Sequence, residues 1–186
     1  MQLYFKNMVS KRCKMLVKAE IEKLGLHCRK IELGEAEIIE NISSGKWDEL
    51  NIVLKKSGIE LMHDKQSILI EKIRIAVIER IHYADEPLEV NFSNYLSKKL
   101  YRNYNYLANV FSATQGITFE RFYLMHKIER VKQLMIYDDL NLKEIAWKMN
   151  YSSTAHLSNQ FKKITGISPS IFKKNKDKQL CSLRDI

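Results

Sequence analysis

Two asparagines and a pair of lysines are the residues of this chain whose type and spacing suggest chemistry. Asn109 stands in the stretch Leu-Ala-Asn-Val-Phe, and Asn159 stands at the same place in Leu-Ser-Asn-Gln-Phe, fifty positions later. An asparagine side chain can form two hydrogen bonds with adenine in the major groove of duplex DNA. Lys162 and Lys163 follow the second stretch and suit phosphate contacts. Because the asparagines recur in register, they are more informative than single surface residues.

Short polar residues precede Asn159 in the sequence. Ser152, Ser153 and Thr154 are expected at the first turn of the helix that carries it. Exposed hydroxyl and amide groups at a helix N-terminus suit a phosphate group. His156, in the same region, is interpreted either as a contact to the DNA backbone or as a packed side chain.

The residue patterns of common enzymes are missing from the sequence. We find no phosphate-binding loop, no spacing typical of a catalytic triad and no paired carboxylates in an apolar setting. We therefore predict no enzymatic activity, no catalytic residues and no cofactor. The three cysteines are odd in number and irregularly spaced, which argues against a disulfide framework and favours a reducing compartment.

The net charge of +9 on 186 residues is distributed unevenly. Residues 1–64 hold 11 basic and 10 acidic side chains, whereas residues 65–186 hold 20 and 12. A polyanion would therefore bind the second part, although a solvated basic face explains the charge equally well. The most apolar stretch, 68–83, contains five charged residues and cannot span a bilayer, so we expect a cytosolic protein with no membrane partner.

The first part of the chain alternates strand and helix patterns. Apolar spacing predicts strands over 3–8, 27–33, 36–39 and 59–62, and helices over 12–24 and from about 43 to 58. This β-α-β-β-α-β order predicts a ferredoxin-like domain over residues 1–64. The predicted fold class is α+β, with an all-α domain following.

The second part is helical throughout by its apolar spacing. We predict a connecting helix within 65–84, broken at 85–87, then a domain over 85–174 and a frayed tail over 175–186. The helices expected in that domain cover 92–100, 105–114, 118–137, 142–149, 153–165 and 168–174. The fifty-residue repeat pairs Leu96 and Leu100 with Ile145 and Met149 through a one-residue slip. Each copy has the outline of a helix-turn-helix.

A longer stretch, from Leu142 to Ser153 and from His156 to Pro169, resembles the signature of the AraC/XylS family of transcription regulators. The resemblance covers roughly residues 70–174. It implies seven helices, with two helix-turn-helix units joined by a long helix at about 118–137. It also implies that two recognition helices enter successive major grooves on one face of the DNA.

The resemblance places the recognition helices at about 103–114 and 153–165. Candidate groove residues are Tyr104, Asn105, Ala108 and Asn109 on the first helix, and Thr154, Ala155, Ser158 and Asn159 on the second. Ser153, His156, Lys162 and Lys163 complete the predicted DNA-binding set. The implied core residues are Leu107, Phe111, Leu157, Phe161, Ile145 and Ala146.

This chain departs from many relatives at two places. Asn109 and Asn159 stand where arginine is common, which favours adenine over guanine. Ser112 and Ala113 stand where the second helix-turn-helix unit has its lysine pair, so the first helix-turn-helix unit is expected to bind DNA more weakly.

The first part more loosely resembles a heavy-metal-associated domain, whose metal loop reads Met-x-Cys-x-x-Cys. Here the loop runs from Met8 to Cys13, and Ser10 replaces the first cysteine. One thiolate cannot complete a soft-metal site, so we predict no bound metal. His27 and Cys28 are neighbours on a strand and point to opposite faces, and Cys28 is interpreted as a buried apolar residue.

These features predict a sequence-specific regulator of transcription that binds double-stranded DNA and works with RNA polymerase or other transcription proteins. The N-terminal domain would receive a signal through a ligand or a protein. The alternatives are a protein-interaction adaptor and a metal-responsive sensor.

Overall fold

The computed structural model describes residues 1–84, 91–138 and 140–174. The chain divides into two compact units, Met1–Ile75 and Ala76–Ile186. The division falls inside a helix, later in the chain than the boundary expected between residues 64 and 65. The helix break expected at 85–87 and the tail expected at 175–186 lie outside the described residues.

The first unit has the predicted β-α-β-β-α-β order, followed by the start of a third helix. Its elements are β1 (Gln2–Lys6), α1 (Lys11–Lys23), β2 (Cys28–Glu32), β3 (Glu35–Ile38), α2 (Ser44–Lys55), β4 (Glu60–Met62) and α3 (Lys65–Ile78). The four strands form one sheet in the order β2-β3-β1-β4. Each neighbouring pair is antiparallel.

Local sequence explains where these elements begin and which face they bury. The hydroxyls of Ser10 and Ser43 cap α1 and α2 by accepting backbone N–H bonds from the first turn. In β1, Leu3 and Phe5 are fully buried, and Tyr4 between them points to the other face. The core between the sheet and the two helices includes Leu3, Phe5, Met8, Val17, Ile21, Ala36, Ile38, Leu50 and Leu54.

Helix α3 lies against the face of the sheet that carries Tyr4. The Lys72 ammonium sits 4.7 Å from the centroid of the Tyr4 ring and 3.3 Å from the Glu35 carboxylate. Gly34, in the β2–β3 turn, has φ +73°, and a Cβ atom there would overlap the side chain of Ile75. This turn therefore needs glycine both for its backbone conformation and for the packing of α3.

In the described part of the second unit, all the regular secondary structure is helical. A π-helical turn at Glu79–Tyr83 continues the line of α3. It is followed by α4 (Phe92–Leu100), α5 (Tyr104–Gln115), α6 (Phe119–Ile136), α7 (Leu142–Lys148), α8 (Thr154–Thr165) and α9 (Pro169–Lys174). Helices α3 to α9 match the seven implied by the resemblance. The π-helical turn was not predicted, since apolar spacing does not separate it from an α-helix. No helix in these described ranges is long and apolar enough to cross a membrane.

The fifty-residue repeat is visible in the helix ends. Asn91 and Asn141 cap α4 and α7 through their side chains, so the two helices begin in register. Tyr101 and Asn150, which follow them in the left-handed conformation, are forty-nine positions apart. The buried residues Leu96 and Ile145 are also forty-nine positions apart, so the predicted one-residue slip arises between the N-caps and these residues.

Candidate nucleic-acid interface

Helices α5 and α8 are held by equivalent buried residues. Leu107 and Phe111 on α5 are fully buried, as are Leu157 and Phe161 on α8. The Phe111 ring lies 4.8 Å from that of Phe122 on α6, and the Phe161 ring lies 5.5 Å from that of Phe172 on α9. Ile145 and Ala146 on α7 are also buried. Each of α5 and α8 thus packs one face against neighbouring helices and exposes the opposite face to solvent.

The exposed face of α8 carries most of its predicted DNA-binding residues. Thr154, Ala155, His156, Asn159, Lys162 and Lys163 are all exposed. Ser153 is the N-cap, and its hydroxyl accepts the His156 backbone N–H at 3.0 Å. Ser158 differs from the others because it is half-buried and its hydroxyl donates to the Thr154 carbonyl at 2.8 Å. The Ser158 hydroxyl is therefore engaged within its own helix.

His156 is exposed, but both of its ring nitrogens have neighbours. Its Nδ1 lies 3.1 Å from the Ser152 hydroxyl, and its Nε2 lies 3.4 Å from the side-chain nitrogen of Gln160. The ring also meets the Tyr151 ring edge-on, with centroids 5.3 Å apart. These contacts hold the imidazole at the start of α8.

The predicted residues of α5 divide into two groups. Asn105 and Asn109 are exposed, and Ala108 is half-buried. Tyr104 is also half-buried, and its hydroxyl donates to the Glu120 carboxylate on α6 at 2.9 Å. Burial and this carboxylate raise the pKa of the Tyr104 phenol. The Tyr104 hydroxyl thus links α5 to α6 through a hydrogen bond.

The two candidate reading helices differ in charge. Helix α8 ends with the exposed cations Lys162 and Lys163, whereas α5 contains no charged residue. At the matching positions of α5, the Ser112 hydroxyl donates to the Ala108 carbonyl at 2.7 Å, and Ala113 is exposed. Any electrostatic attraction that comes from the helices themselves is therefore concentrated on α8.

Tyr106 is an exposed residue of this surface that is absent from the predicted DNA-binding set, because the run Tyr101 to Tyr106 was interpreted as structural. It lies fifty positions before His156 and is 50% exposed on α5. The fifty-residue repeat could have identified Tyr106, because it occupies the position that matches His156, which was predicted to bind DNA. A tyrosine at this position presents both an apolar ring and a hydroxyl to a ligand.

Cys13 and Cys28 are the cysteines of the first unit that were considered as metal ligands. Cys13 is buried and accepts a hydrogen bond from the Ser10 hydroxyl at 3.1 Å. Cys28 is half-buried, not buried as expected, because β2 forms an edge of the sheet. Burial and, secondarily, the Glu22 carboxylate raise the pKa of the Cys28 thiol. No group of three or more His, Cys, Asp or Glu residues within the described ranges is arranged to hold a metal ion.

Comparison with known proteins gives a family match and related folds. Residues 96–175 match the model of a helix-turn-helix domain. The uncharacterized HTH-type transcriptional regulator YtdP of Bacillus subtilis (strain 168) is 28% identical over 127 residues, which are 66% of this chain and 16% of that protein. The chain thus spans only a small part of this relative's length.

Among solved structures, the C-terminal domain of AraT, a response regulator from Geobacillus stearothermophilus, has a TM-score of 0.50 at 21% identity. The match covers 64% of this chain and 93% of the other. A transcriptional regulator from Chromobacterium violaceum, described as containing an AraC-type DNA-binding domain, has a TM-score of 0.48 at 20% identity over 57% of this chain and 93% of its own. The likeness to the AraT domain establishes a common fold. Together with the family match, it shows that residues 96–175 of this chain belong to a helix-turn-helix domain.

Proposed function

We propose that this chain is a sequence-specific transcription regulator that places α5 and α8 in successive major grooves of duplex DNA. The observation that carries the proposal is the equivalent exposure of Asn109 and Asn159 on two helices whose opposite faces are anchored in the same way. The relative YtdP is named as a transcriptional regulator, which supports the same function.

Side-chain chemistry divides the proposed surface into base contacts and phosphate contacts. Asn109 and Asn159 pair with adenine through their amides, while Thr154 and Ala155 offer methyl groups to thymine. The Tyr106 ring offers a further apolar contact. Lys162 and Lys163 bind phosphates, and such contacts add affinity without distinguishing sequences.

The two helix-turn-helix units contribute unequally to binding in this proposal. The helix-turn-helix unit that contains α8 provides two exposed lysines on that helix, whereas α5 has none. The α8 half-site should therefore supply most of the salt-dependent affinity, and the α5 half-site should add chiefly sequence preference. One chain with two reading helices fits an asymmetric site, so a symmetric dimer is not required.

The first unit is proposed to receive a signal from a ligand or a protein, and RNA polymerase or another transcription protein is the proposed partner of the regulator. The boundary between the two units falls inside helix α3.

Selection of bound DNA from a random duplex library tests the main proposal. The full chain is used at about 150 mM salt with nonspecific competitor DNA, since weaker salt favours nonspecific binding. We expect an enriched motif with two parts about one helical turn, or roughly 10 base pairs, apart. The double variant Asn109→Ala/Asn159→Ala, checked for folding by circular dichroism, should enrich a less defined motif. If the folded wild-type chain enriches no sequence, the proposal is wrong.

A further inference from the structure

One face of the long helix α6 contacts both helix-turn-helix units through aromatic and cationic side chains. The Tyr123 ring stacks on Phe92 of α4, with centroids 4.2 Å apart and planes inclined by 29°. One turn later, the Lys127 ammonium lies 3.9 Å from the centroid of the Tyr151 ring, which follows α7. The same ammonium lies 5.9 Å from the Tyr123 ring. These four residues form a continuous contact, which we call the α6 bridge.

Lys127 is an unusual member of the α6 bridge because it is a cation in a mostly buried position. In the described part of the chain, no carboxylate and no hydrogen-bond acceptor contacts its ammonium, which instead faces two aromatic rings. Burial lowers its pKa to about 8, so the side chain is still mostly protonated at neutral pH. The ring face of Tyr151 is the closest group that attracts the charge.

Tyr151 contributes its ring rather than its hydroxyl to this contact. Its hydroxyl oxygen is buried and has no hydrogen-bond partner among the described residues. A phenylalanine would therefore supply the same face to Lys127, whereas a leucine would not. This difference allows the ring contact to be tested separately from the size of the side chain.

A methionine or leucine at position 127 would fill similar space without burying a charge. Burial of an unpaired charge is costly, whereas its contact with a ring depends on direction as well as distance. Such a contact favours one orientation of two packed elements more strongly than apolar packing does. The α6 bridge joins α4 of the first helix-turn-helix unit to the turn before α8 of the second.

We propose that Tyr123 and Lys127 are positioning residues that fix the second helix-turn-helix unit relative to the first, and thereby set the spacing between the two parts of the DNA site that the chain accepts. This inference depends on the proposed function, because spacing has meaning only if both units bind DNA. The residues themselves need not touch DNA.

The test measures how the full chain binds duplexes that carry the selected two-part motif with the spacer lengthened or shortened by one and by two base pairs. Lys127→Met and Lys163→Met each remove one positive charge from the same domain. A desolvated cation–π contact changes an equilibrium by about 30-fold. We therefore expect Lys127→Met to reduce the preference for the best spacer by about 10-fold, with the salt dependence unchanged.

Lys163→Met should behave in the opposite way. It removes a proposed phosphate contact, so it should weaken binding to every spacer by a similar factor and lower the salt slope by about one. The preference for one spacer should survive. A purely electrostatic role for Lys127 would instead give the two variants the same profile.

Substitutions at Tyr151 provide the second comparison and guard against loss of folding in Lys127→Met. Tyr151→Phe should retain the spacer preference, and Tyr151→Leu should reduce it as Lys127→Met does. Thermal unfolding identifies any variant that is not folded. If folded Lys127→Met and Tyr151→Leu both keep the wild-type spacer profile, the inference is wrong while the proposed function stands. If the wild-type chain shows no sequence-specific binding, the proposed function itself fails.

Discussion

Asn109 on α5 and Asn159 on α8 occupy the same position in two helices that begin and end fifty residues apart. Each asparagine lies two residues after a fully buried leucine and two residues before a fully buried phenylalanine. Because a helix turns by about 100° per residue, the buried pair directs each asparagine to the exposed face. The equivalence makes the two side chains a natural pair for mutation.

Replacing Asn159 with alanine should reduce discrimination at one base pair of the DNA site. A bidentate contact between asparagine and adenine contributes about 1–3 kcal/mol of discrimination, so single-base variants at that position should bind more nearly alike. Competition binding with a set of such duplexes measures this. Asn41→Ala, at an exposed position in the first unit, is the control and should leave discrimination unchanged. Unaltered discrimination in Asn159→Ala would remove the residue from the reading surface.

Lys163→Ala should weaken binding to specific and nonspecific DNA by similar factors. A phosphate contact releases about one counterion, so the slope of log affinity against log salt should become shallower by about one. Titrations between 50 and about 200 mM salt give that slope. The control is Lys56→Ala, an exposed lysine at the end of α2, for which we expect no change. A loss confined to the specific sequence would contradict the phosphate assignment.

Gly34→Ala should destabilise the first unit far more than Gly25→Ala. Both glycines have positive φ, but a Cβ atom at Gly34 would overlap Ile75, whereas one at Gly25 has no atom within 4 Å. We expect a loss of about 1–2 kcal/mol at Gly25 from backbone strain alone. Overpacking should add about 1–3 kcal/mol at Gly34. Urea unfolding of the two variants measures the difference, and equal losses would show that α3 does not constrain this turn.

Asn141→Ala should destabilise the second helix-turn-helix unit by about 1 kcal/mol. Asn141 forms a capping box with Glu144, in which each side chain accepts the backbone N–H of the other at 2.8–3.0 Å. Chemical unfolding monitored by circular dichroism measures the loss. Lys143→Ala, at an exposed position of the same helix, should change the free energy of unfolding by less than about 0.5 kcal/mol. Similar losses in both variants would argue against the cap.

His82 should make the second unit sensitive to acid. Burial, and secondarily the Arg130 guanidinium, lowers the pKa of His82 to about 4, although a hydrogen bond with Gln133 acts in the other direction. The unfolded chain, with an ordinary histidine pKa of about 6.5, then binds more protons between pH 6.5 and 4. Stability should therefore fall over that range as the pH is lowered, by about 2–3 kcal/mol.

The test of this acid sensitivity is chemical unfolding at several pH values between 7 and 4. His82→Gln lacks the titrating ring and should show a smaller loss of stability on acidification. His63→Gln, at an exposed histidine of the first unit, is the control and should keep the wild-type pH dependence of the second unit. If His82→Gln and the wild-type chain lose stability equally, burial of His82 is not the cause.

The order of elements and the repeat were determined by the sequence itself. Helix starts could be located at Ser43 and Ser153 because capping is a local interaction between a side chain and the next turn of backbone. A short strand was predicted over residues 3–8, and the structure places β1 at Gln2–Lys6. Asn109 and Asn159 were identified because each stands at the same position of a repeat that is visible in the amino-acid sequence.

Tertiary structure decided the features that depend on residues distant in sequence. No local pattern places Ile75 against Gly34, the Tyr104 hydroxyl on Glu120 or the Lys127 ammonium over the Tyr151 ring. Each of these contacts exists only after helices or strands have packed, because packing alone brings the partners together and removes the water between them. Hence the periodicity of the sequence determined which faces are buried, and packing against α6 determined the partners of the Tyr104 hydroxyl and the Lys127 ammonium.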